Sequence, residues 1–147
     1  MHRETSNNGI TPACRAFLLE TVRTGKLATV RADGRPHVVP IWFDLDTDST
    51  LYFTTWHTTV KANNMRRDPR ISICVDDERP PFTYALLEGT AELLDDKDAL
   101  LHWATRIAAR YMGSDQAESF GKRNAVEGEL LVRVTLTHVL FEKDVAN

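Results

Sequence analysis

An Asp-Gly pair at residues 33 and 34 separates two short apolar runs, and this feature constrains the fold more than any other in the sequence. Residues 27–32 read Leu-Ala-Thr-Val-Arg-Ala, and residues 37–43 read His-Val-Val-Pro-Ile-Trp-Phe. Asp-Gly between strand-like runs is the strongest short-range signal for a β-hairpin, because glycine supplies the positive φ of a tight turn. We therefore expect residues 27–43 to form two neighbouring antiparallel strands.

Four further strand-like runs follow, at residues 51–56, 70–75, 83–94 and 129–142, and Gly89 indicates a bend or bulge in the run at 83–94. Helical spacing and capping residues predict helices over residues 12–25 and 60–67, and a third helix that is capped by Asp95-Asp96. We expect Gly25 to end the first helix, Thr58 or Thr59 to cap the second, and Gly113 to end the third. Six strands in meander order with helices at their ends predict a small, mostly antiparallel β-barrel.

The chain's 147 residues fit a single domain spanning 1–147, with a flexible lead-in over residues 1–10. The formal net charge of −3 argues against a general nucleic-acid binder, and no apolar run approaches the ~18 residues that span a membrane. The polar N-terminus has no signal-peptide core, so we expect a soluble cytoplasmic protein. Cys14 and Cys74 are expected to be buried reduced thiols, and no motif predicts a metal site.

A cationic segment follows the third predicted strand. Residues 58–70 contain four cationic side chains against the single carboxylate of Asp68, in a chain that is acidic as a whole. Ahead of them, hydroxyl side chains cluster where a strand gives way to a helix N-terminus, a position suited to binding phosphate. The candidates for this anion site are Thr54, Thr55, Thr59 and Lys61, with Asn64 on the same helix face. A solvated helix face is the alternative interpretation.

Pro40 also allows two interpretations, an edge strand or a local opening where the backbone faces a ligand. The sequence has no glycine-rich nucleotide loop and no GxSxG nucleophile motif. A borrowed cofactor is therefore the natural source of reactivity.

Several motifs together resemble the pyridoxamine-5′-phosphate-oxidase-like split-barrel flavoproteins. They are residues 27–30 with 33–40, the Leu-Tyr-Phe-Thr-Thr run at 51–55, Val-Lys at 60–61, the Asn-Met-Arg-Arg-Asp-Pro-Arg run at 64–70, and Glu-Gly-Thr-Ala at 88–91. The resemblance implies an α+β fold that is mostly β, a six-stranded antiparallel split β-barrel with flanking helices, of the FMN-binding split-barrel type. It also implies a homodimer with two cofactor sites at the interface.

Within that family, residues 66–70 and 123–132 are similar to the branch that uses the deazaflavin coenzyme F420. The resemblance implies a cofactor phosphate near Thr54, Thr55 and Lys61. It also implies a cofactor ring against Val39, Pro40 and Ile41, and it matches Tyr84 to a ring-contacting glutamine that the oxidases supply from the second subunit.

Two departures argue against oxidation of vitamin B6. First, the oxidases have an Arg-Lys pair where this chain has Val60 and Lys61, and an arginine where this chain has Val39. Second, the oxidases end in a substrate-binding tail that differs from residues 141–147 of this chain. A single lysine suits the singly charged phosphodiester of F420 better than the FMN monoester, which is close to −2. We therefore predict an F420-dependent reductase acting on a small unsaturated substrate, with His37, Tyr84 or Tyr111 as possible proton donors.

Three alternatives remain open at this point. One is an FMN-dependent enzyme of the same fold, and another is a non-catalytic module that binds a flavin or F420. The third is a small barrel that binds single-stranded nucleic acid through Arg66, Arg67 and Arg70, which the acidic net charge disfavours.

Overall fold

The computed structural model describes residues 2–147, and its central element is an eight-stranded antiparallel sheet that curls into a half-barrel. The strands are β1 (His2–Ser6), β2 (Gly25–Val30), β3 (Pro36–Ile41), β4 (Asp44–Leu45), β5 (Leu51–Trp56), β6 (Arg70–Asp77), β7 (Thr83–Leu94) and β8 (Glu129–Lys143). The helices are α1 (Pro12–Glu20), α2 (Val60–Arg67), α3 (Lys97–Met112) and α4 (Ala117–Asn124). The fold is α+β and of the split-barrel type, as predicted.

Strand β8 holds the sheet together because it pairs along both of its edges. The strand order is β3-β2-β6-β7-β8-β5-β4, and β7 pairs with β8 over most of its length. On its other edge, β8 pairs with β5 through residues 129–134 and with β1 through residues 139–143. This order leaves β3 at one edge of the sheet.

The predicted hairpin is confirmed as the pair β2 and β3. Its loop closes through a hydrogen bond of 2.9 Å from the Arg31 amide to the Arg35 carbonyl, with Gly34 at φ +89°. The predicted bulge at Gly89 is also confirmed, because the register between β7 and β8 shifts between Glu88 and Gly89. A Cβ at Gly89 would lie 2.2 Å from the Thr135 carbonyl oxygen, so only glycine allows this approach.

Four expectations need correction. The sheet has eight strands rather than six, since β1 and β4 join those predicted. Residues 2–6 are not a flexible lead-in, because they pair with β8. Helix α1 ends at Glu20 and not at Gly25, which begins β2 where a Cβ would lie 2.9 Å from Ile73. Helix α4 occupies a polar segment for which no helix was predicted.

Two groups of buried side chains lie on opposite faces of β5. Phe53 and its alternating neighbours face the main core, where α1 also packs, while Tyr52 faces α3 and stacks on Trp103 with ring centroids 4.1 Å apart. Cys14 is fully buried, as expected, and burial raises its pKa to about 12. Cys74, also expected to be buried, is only half-buried. Among residues 2–147, no helix combines the length and apolar character needed to cross a membrane.

Candidate functional site

A cavity of about 240 Å³ forms where the end of β3, the end of β5, the start of α2 and one side of α3 meet. It is lined by Pro40, Ile41, Trp42, Thr54, Lys61, Ala104, Ile107 and Asn124. Four residues predicted to bind a cofactor, Pro40, Ile41, Thr54 and Lys61, are therefore brought together from three separate elements. The cavity combines an apolar wall, a hydroxyl and an ammonium group.

Strand β3 contributes to the cavity from the edge of the sheet. Its only sheet partner is β2, so Pro40 can lack an amide hydrogen without breaking a hydrogen-bonded ladder. The edge-strand interpretation of Pro40 is confirmed. Pro40 also lines the cavity, and the interpretation that its backbone faces a ligand stays a prediction. Ile41 is 6% exposed and belongs to the main core, so alternation along the chain places Pro40 and Trp42 on the other face.

Thr55 and Thr59 fix the start of helix α2. The Thr59 hydroxyl accepts a hydrogen bond of 3.2 Å from the Ala62 amide and lies 2.8 Å from the Thr55 hydroxyl. Both hydroxyls also hydrogen-bond the Trp56 carbonyl. These contacts position Lys61 in the first turn of the helix, and neither threonine lines the cavity itself.

Asn64, Val39 and Tyr84 lie away from the cavity lining. Asn64 is buried, and its amide donates a hydrogen bond of 3.0 Å to the Thr29 hydroxyl, which ties α2 to β2. Val39 is a half-buried residue of β3. Tyr84 lies near the opposite end of β8, where its hydroxyl donates a hydrogen bond of 2.6 Å to Glu142. Their predicted contacts with a cofactor stay predictions.

Glu129 is a charged residue beside the cavity that sequence reasoning missed. It pairs with Trp56 and Leu131 pairs with Thr54, so Glu129 and Thr54 are diagonal neighbours on one face of the sheet. Burial raises the pKa of Glu129, an effect opposed by a hydrogen bond from Thr54 and by the charge of Lys61. Burial likewise lowers the pKa of Lys61, against the charge of Glu129. No local motif marks this glutamate; only the strand register brings it here.

A second and larger groove, of about 650 Å³, lies beside the loop that leads into β8. The groove and the smaller cavity are lined by neighbouring residues, since Ala125 lines the groove and Asn124 lines the cavity. Glu129 also lines the groove. Gly128 shapes the loop at φ +95°, and a Cβ there would lie 2.5 Å from the Trp56 ring. Cationic and anionic side chains both line the groove, namely Arg66, Lys97, Asp95, Glu127 and Glu129, together with the imidazole of His57.

The three arginines of the cationic segment each have a partner within the chain. Arg66 donates a hydrogen bond of 2.8 Å to the His57 carbonyl, and Arg67 donates to the Val30 carbonyl. Arg70 forms an ion pair of 2.7 Å with Asp68 and lowers the pKa of that carboxyl to about 2. The arginines therefore support the folding of this segment locally, and Lys61 is the cation that lines the smaller cavity.

Of the possible proton donors, none has a side chain in the lining of the smaller cavity. The Tyr111 hydroxyl donates a hydrogen bond of 2.7 Å to the Arg23 carbonyl and accepts one of 3.2 Å from the Phe43 amide. Burial raises the pKa of Tyr111. The Nδ1 atom of His37 is buried and has no hydrogen-bond partner within residues 2–147.

Comparison with known proteins gives one family and many related structures. A sequence model of the family described as pyridoxamine 5′-phosphate oxidase matches residues 10–141. A conserved hypothetical protein from Mycobacterium tuberculosis aligns over 97% of this chain and 91% of its own, with a TM-score of 0.78 and 24% identity. An F420 reductase aligns over 84% and 94%, with a TM-score of 0.65 and 27% identity.

A FAD-binding protein from Mesorhizobium loti aligns over 97% of this chain and all of its own, with a TM-score of 0.65 and 22% identity. At this level of identity, the likeness to it and to the mycobacterial protein concerns the fold.

Proposed function

The chain belongs to the pyridoxamine 5′-phosphate oxidase family, and from this premise we propose that it is an F420-dependent oxidoreductase. In this proposal, the bound reduced deazaflavin would supply a hydride to an electron-poor double bond of a small organic substrate, and a proton from solvent would complete the reduction. The observation that carries the proposal is the convergence of Thr54, Lys61 and Pro40 on one cavity at the junction of β5 and α2. The name and 27% identity of one structural relative, an F420 reductase, agree with it.

The residues of the cavity suit the two ends of such a cofactor. Lys61 and the hydroxyl of Thr54 would hold the phosphate, because a half-buried ammonium forms strong hydrogen bonds to anionic oxygens. Pro40 and Trp42 would offer apolar surface to the ring. The chain would thus bind and orient the cofactor and exclude water, leaving the reducing power to the cofactor itself.

Charge favours F420 over FMN in this site. Lys61 is the single cation in the lining, and Glu129 next to it offsets part of its charge. A phosphodiester carries one negative charge, whereas the phosphomonoester of FMN is close to −2 at neutral pH. A weakly cationic site neutralises a singly charged phosphate more completely than a doubly charged one, so less uncompensated negative charge is buried when F420 binds.

We further propose that two copies of the chain complete the site. The cavity of about 240 Å³ is smaller than the ~300–1,000 Å³ that enclosed small-molecule sites occupy. It also opens beside the edge strand β3, where a second copy can cover it. In that arrangement, Tyr84 would approach the ring from the partner, in the place suggested by the family resemblance.

The proposal is tested by titrating the purified protein with F420 and, separately, with FMN, while tryptophan fluorescence is recorded. We expect F420 to bind more tightly, and Lys61→Met to weaken binding by about 10–100-fold, the value of a hydrogen bond to a charged group. Lys61→Arg should restore part of the affinity. Lys122→Met, which removes an exposed lysine of α4, serves as the matched control.

Each outcome distinguishes between the candidate functions. Tight FMN binding without a response to F420 would assign the protein to the FMN-dependent enzymes of the fold. Equal affinities of Lys61→Met and the wild-type protein would refute the phosphate site. If the reduced F420 complex is not oxidised by any quinone, enone or tetrapyrrole in a test panel, the protein is a binding module rather than a reductase.

A further inference from the structure

Trp42 combines exposure with a fixed orientation. Its neighbours Ile41 and Phe43 are 6% and 0% exposed, whereas Trp42 is 39% exposed and lines the smaller cavity. Its ring stacks on that of Tyr111, with centroids 5.0 Å apart and planes 4° from parallel. One face of the indole is therefore covered by an aromatic ring, while the side chain still presents surface to the cavity.

Tyr111 is held in place more firmly than an ordinary surface tyrosine. It lies in the last turn of α3, and its hydroxyl bonds to the Arg23 carbonyl and the Phe43 amide, as described above. The preceding residue, Arg110, donates a hydrogen bond of 3.2 Å to the Leu18 carbonyl and lies 3.9 Å from the carboxylate of Asp44. The end of α3 that carries Tyr111 is thus bonded to α1, to Arg23 and to residues 43–44.

The chain's three tryptophans differ in their surroundings. Trp103 is buried and stacks on Tyr52. Trp56 is 43% exposed but packs at a tilt against His57 and lies outside the cavity lining. Only Trp42 of the three lines the cavity. An aromatic side chain that is held in a fixed plane at a cavity can bind a planar aromatic ligand through offset stacking or edge contacts.

We propose that Trp42 forms the wall against which the planar ring system of the bound cofactor packs, and that Tyr111 is the positioning residue that keeps this wall in place. This inference rests on the proposed function of the cavity. It adds Trp42 to the residues of β3 that resemblance alone implied, and it gives the stacked pair a role in ligand recognition as well as in folding.

The test compares two tryptophans within one protein. Trp42 and Trp56 are similarly exposed, so both indoles of the free protein should react with a mild oxidant such as N-bromosuccinimide. Peptide mass spectrometry then measures the oxidation rate of each residue with and without saturating F420 or FMN. We expect the bound cofactor to slow oxidation of Trp42 several-fold and to leave Trp56 unchanged.

Affinity measurements on variants complete the test. Trp42→Leu should weaken cofactor binding by about tenfold, since both stacking and apolar contact are lost, and Trp56→Leu should leave it unchanged. Tyr111→Phe keeps the ring but removes both hydroxyl hydrogen bonds, so Trp42 should show lower fluorescence anisotropy in a Trp56→Phe/Trp103→Phe background. The same substitution should weaken binding less than Trp42→Leu does.

Failure of this inference can be told apart from failure of the proposed function. If neither F420 nor FMN binds to the wild-type protein, the proposed function is wrong. If a cofactor binds but oxidation of Trp42 proceeds at its original rate, Trp42 is not the wall and this inference alone is overturned. The oxidation experiment uses wild-type protein, so it decides the matter even where Trp42→Leu fails to fold.

Discussion

Glu129 affects how strongly Lys61 can bind an anion. Lys61 alone suits any phosphate, but the carboxylate of Glu129 lies near enough to affect its pKa, and Lys61 in turn opposes the raised pKa of Glu129. Since an anion at this site has to share Lys61 with Glu129, the carboxylate weakens phosphate binding. The penalty is largest for the phosphate group with the most negative charge, which is the monoester of FMN.

Replacing Glu129 by glutamine should therefore strengthen binding of both candidate cofactors, and of FMN more than of F420. In the wild-type protein, burial raises the pKa of Glu129, so lowering the pH protonates this carboxyl and removes its repulsion earlier than for an ordinary glutamate. The affinity advantage of Glu129→Gln should then shrink as the pH falls from 8 towards the ordinary glutamate value of about 4.3.

Isothermal titration of both proteins across this pH range provides the measurement. Glu127→Gln is the matched control, because Glu127 lines the larger groove but is exposed. An advantage of Glu129→Gln that stays constant with pH would contradict the assigned interaction between Glu129 and the ligand.

At the scale of elements, the bulge where β8 passes Gly89 of β7 affects how these two strands curve. Glu88 pairs with His138, but the next residue, Gly89, pairs with Leu136, so β8 contributes one extra residue at this point. The two backbones approach closely here, and no side-chain atom fits between Gly89 and Thr135. A bulge of this kind sharpens the local twist, which helps a sheet to curl into a half-barrel.

Gly89→Ala should lower the free energy of unfolding by about 1–3 kcal/mol, because its Cβ meets backbone atoms that cannot move aside individually. Urea denaturation followed by circular dichroism measures the change. Thr90→Ala, at the exposed neighbouring position, should differ from wild type by much less. A Gly89→Ala protein as stable as Thr90→Ala would show that β7 and β8 can separate at the bulge without cost.

The elements that the sequence predicts are those with local signals. Gly34 reveals the hairpin and Thr59 caps α2, where its side chain accepts the bond that capping requires. Strand β1 could not be predicted because His-Arg-Glu-Thr-Ser has no alternating apolar pattern, and its pairing is supplied by β8. Helix α4 is polar and lacks a side-chain cap bond, so no local signal marks its start.

The candidate site divides in the same way. Thr54 and Lys61 follow from the sequence around a strand end and a helix start, and both line the cavity. Trp42 and Glu129 depend on packing and register, since one requires Tyr111 from α3 and the other the pairing of β5 with β8. The site residues that depend on contacts between distant segments could therefore not be predicted from local sequence patterns.

At the scale of the whole molecule, a buried carboxylate ties the first strand to the last. Glu142 is 3% exposed and accepts hydrogen bonds from the Tyr84 hydroxyl and from Arg3 at 3.1 Å. These partners lower the pKa of Glu142, with the bond from Tyr84 contributing most. One side chain thus connects β1, β7 and β8.

Glu142→Gln should destabilise the protein at neutral pH, and the difference from wild type should fade in acid. The pKa of Glu142 is lower in the folded state, so its stabilisation is complete above the unfolded value of about 4.3 and disappears as the pH falls through the folded value. Thermal unfolding between pH 7 and pH 2.5 checks this, with the exposed Glu88→Gln as control. A difference that persists in strong acid would mean that size and packing, rather than charge, explain the loss.

The two prolines of β3 have a consequence for the protein at high concentration. Pro36 and Pro40 are four positions apart on an edge strand, so both lack amide hydrogens on the side that points away from β2. A foreign strand that approached this side would find only the donor of Val38 between them. The sheet is thereby protected from fibril-like growth along the border that carries the cavity, and copies that meet there must associate through side chains.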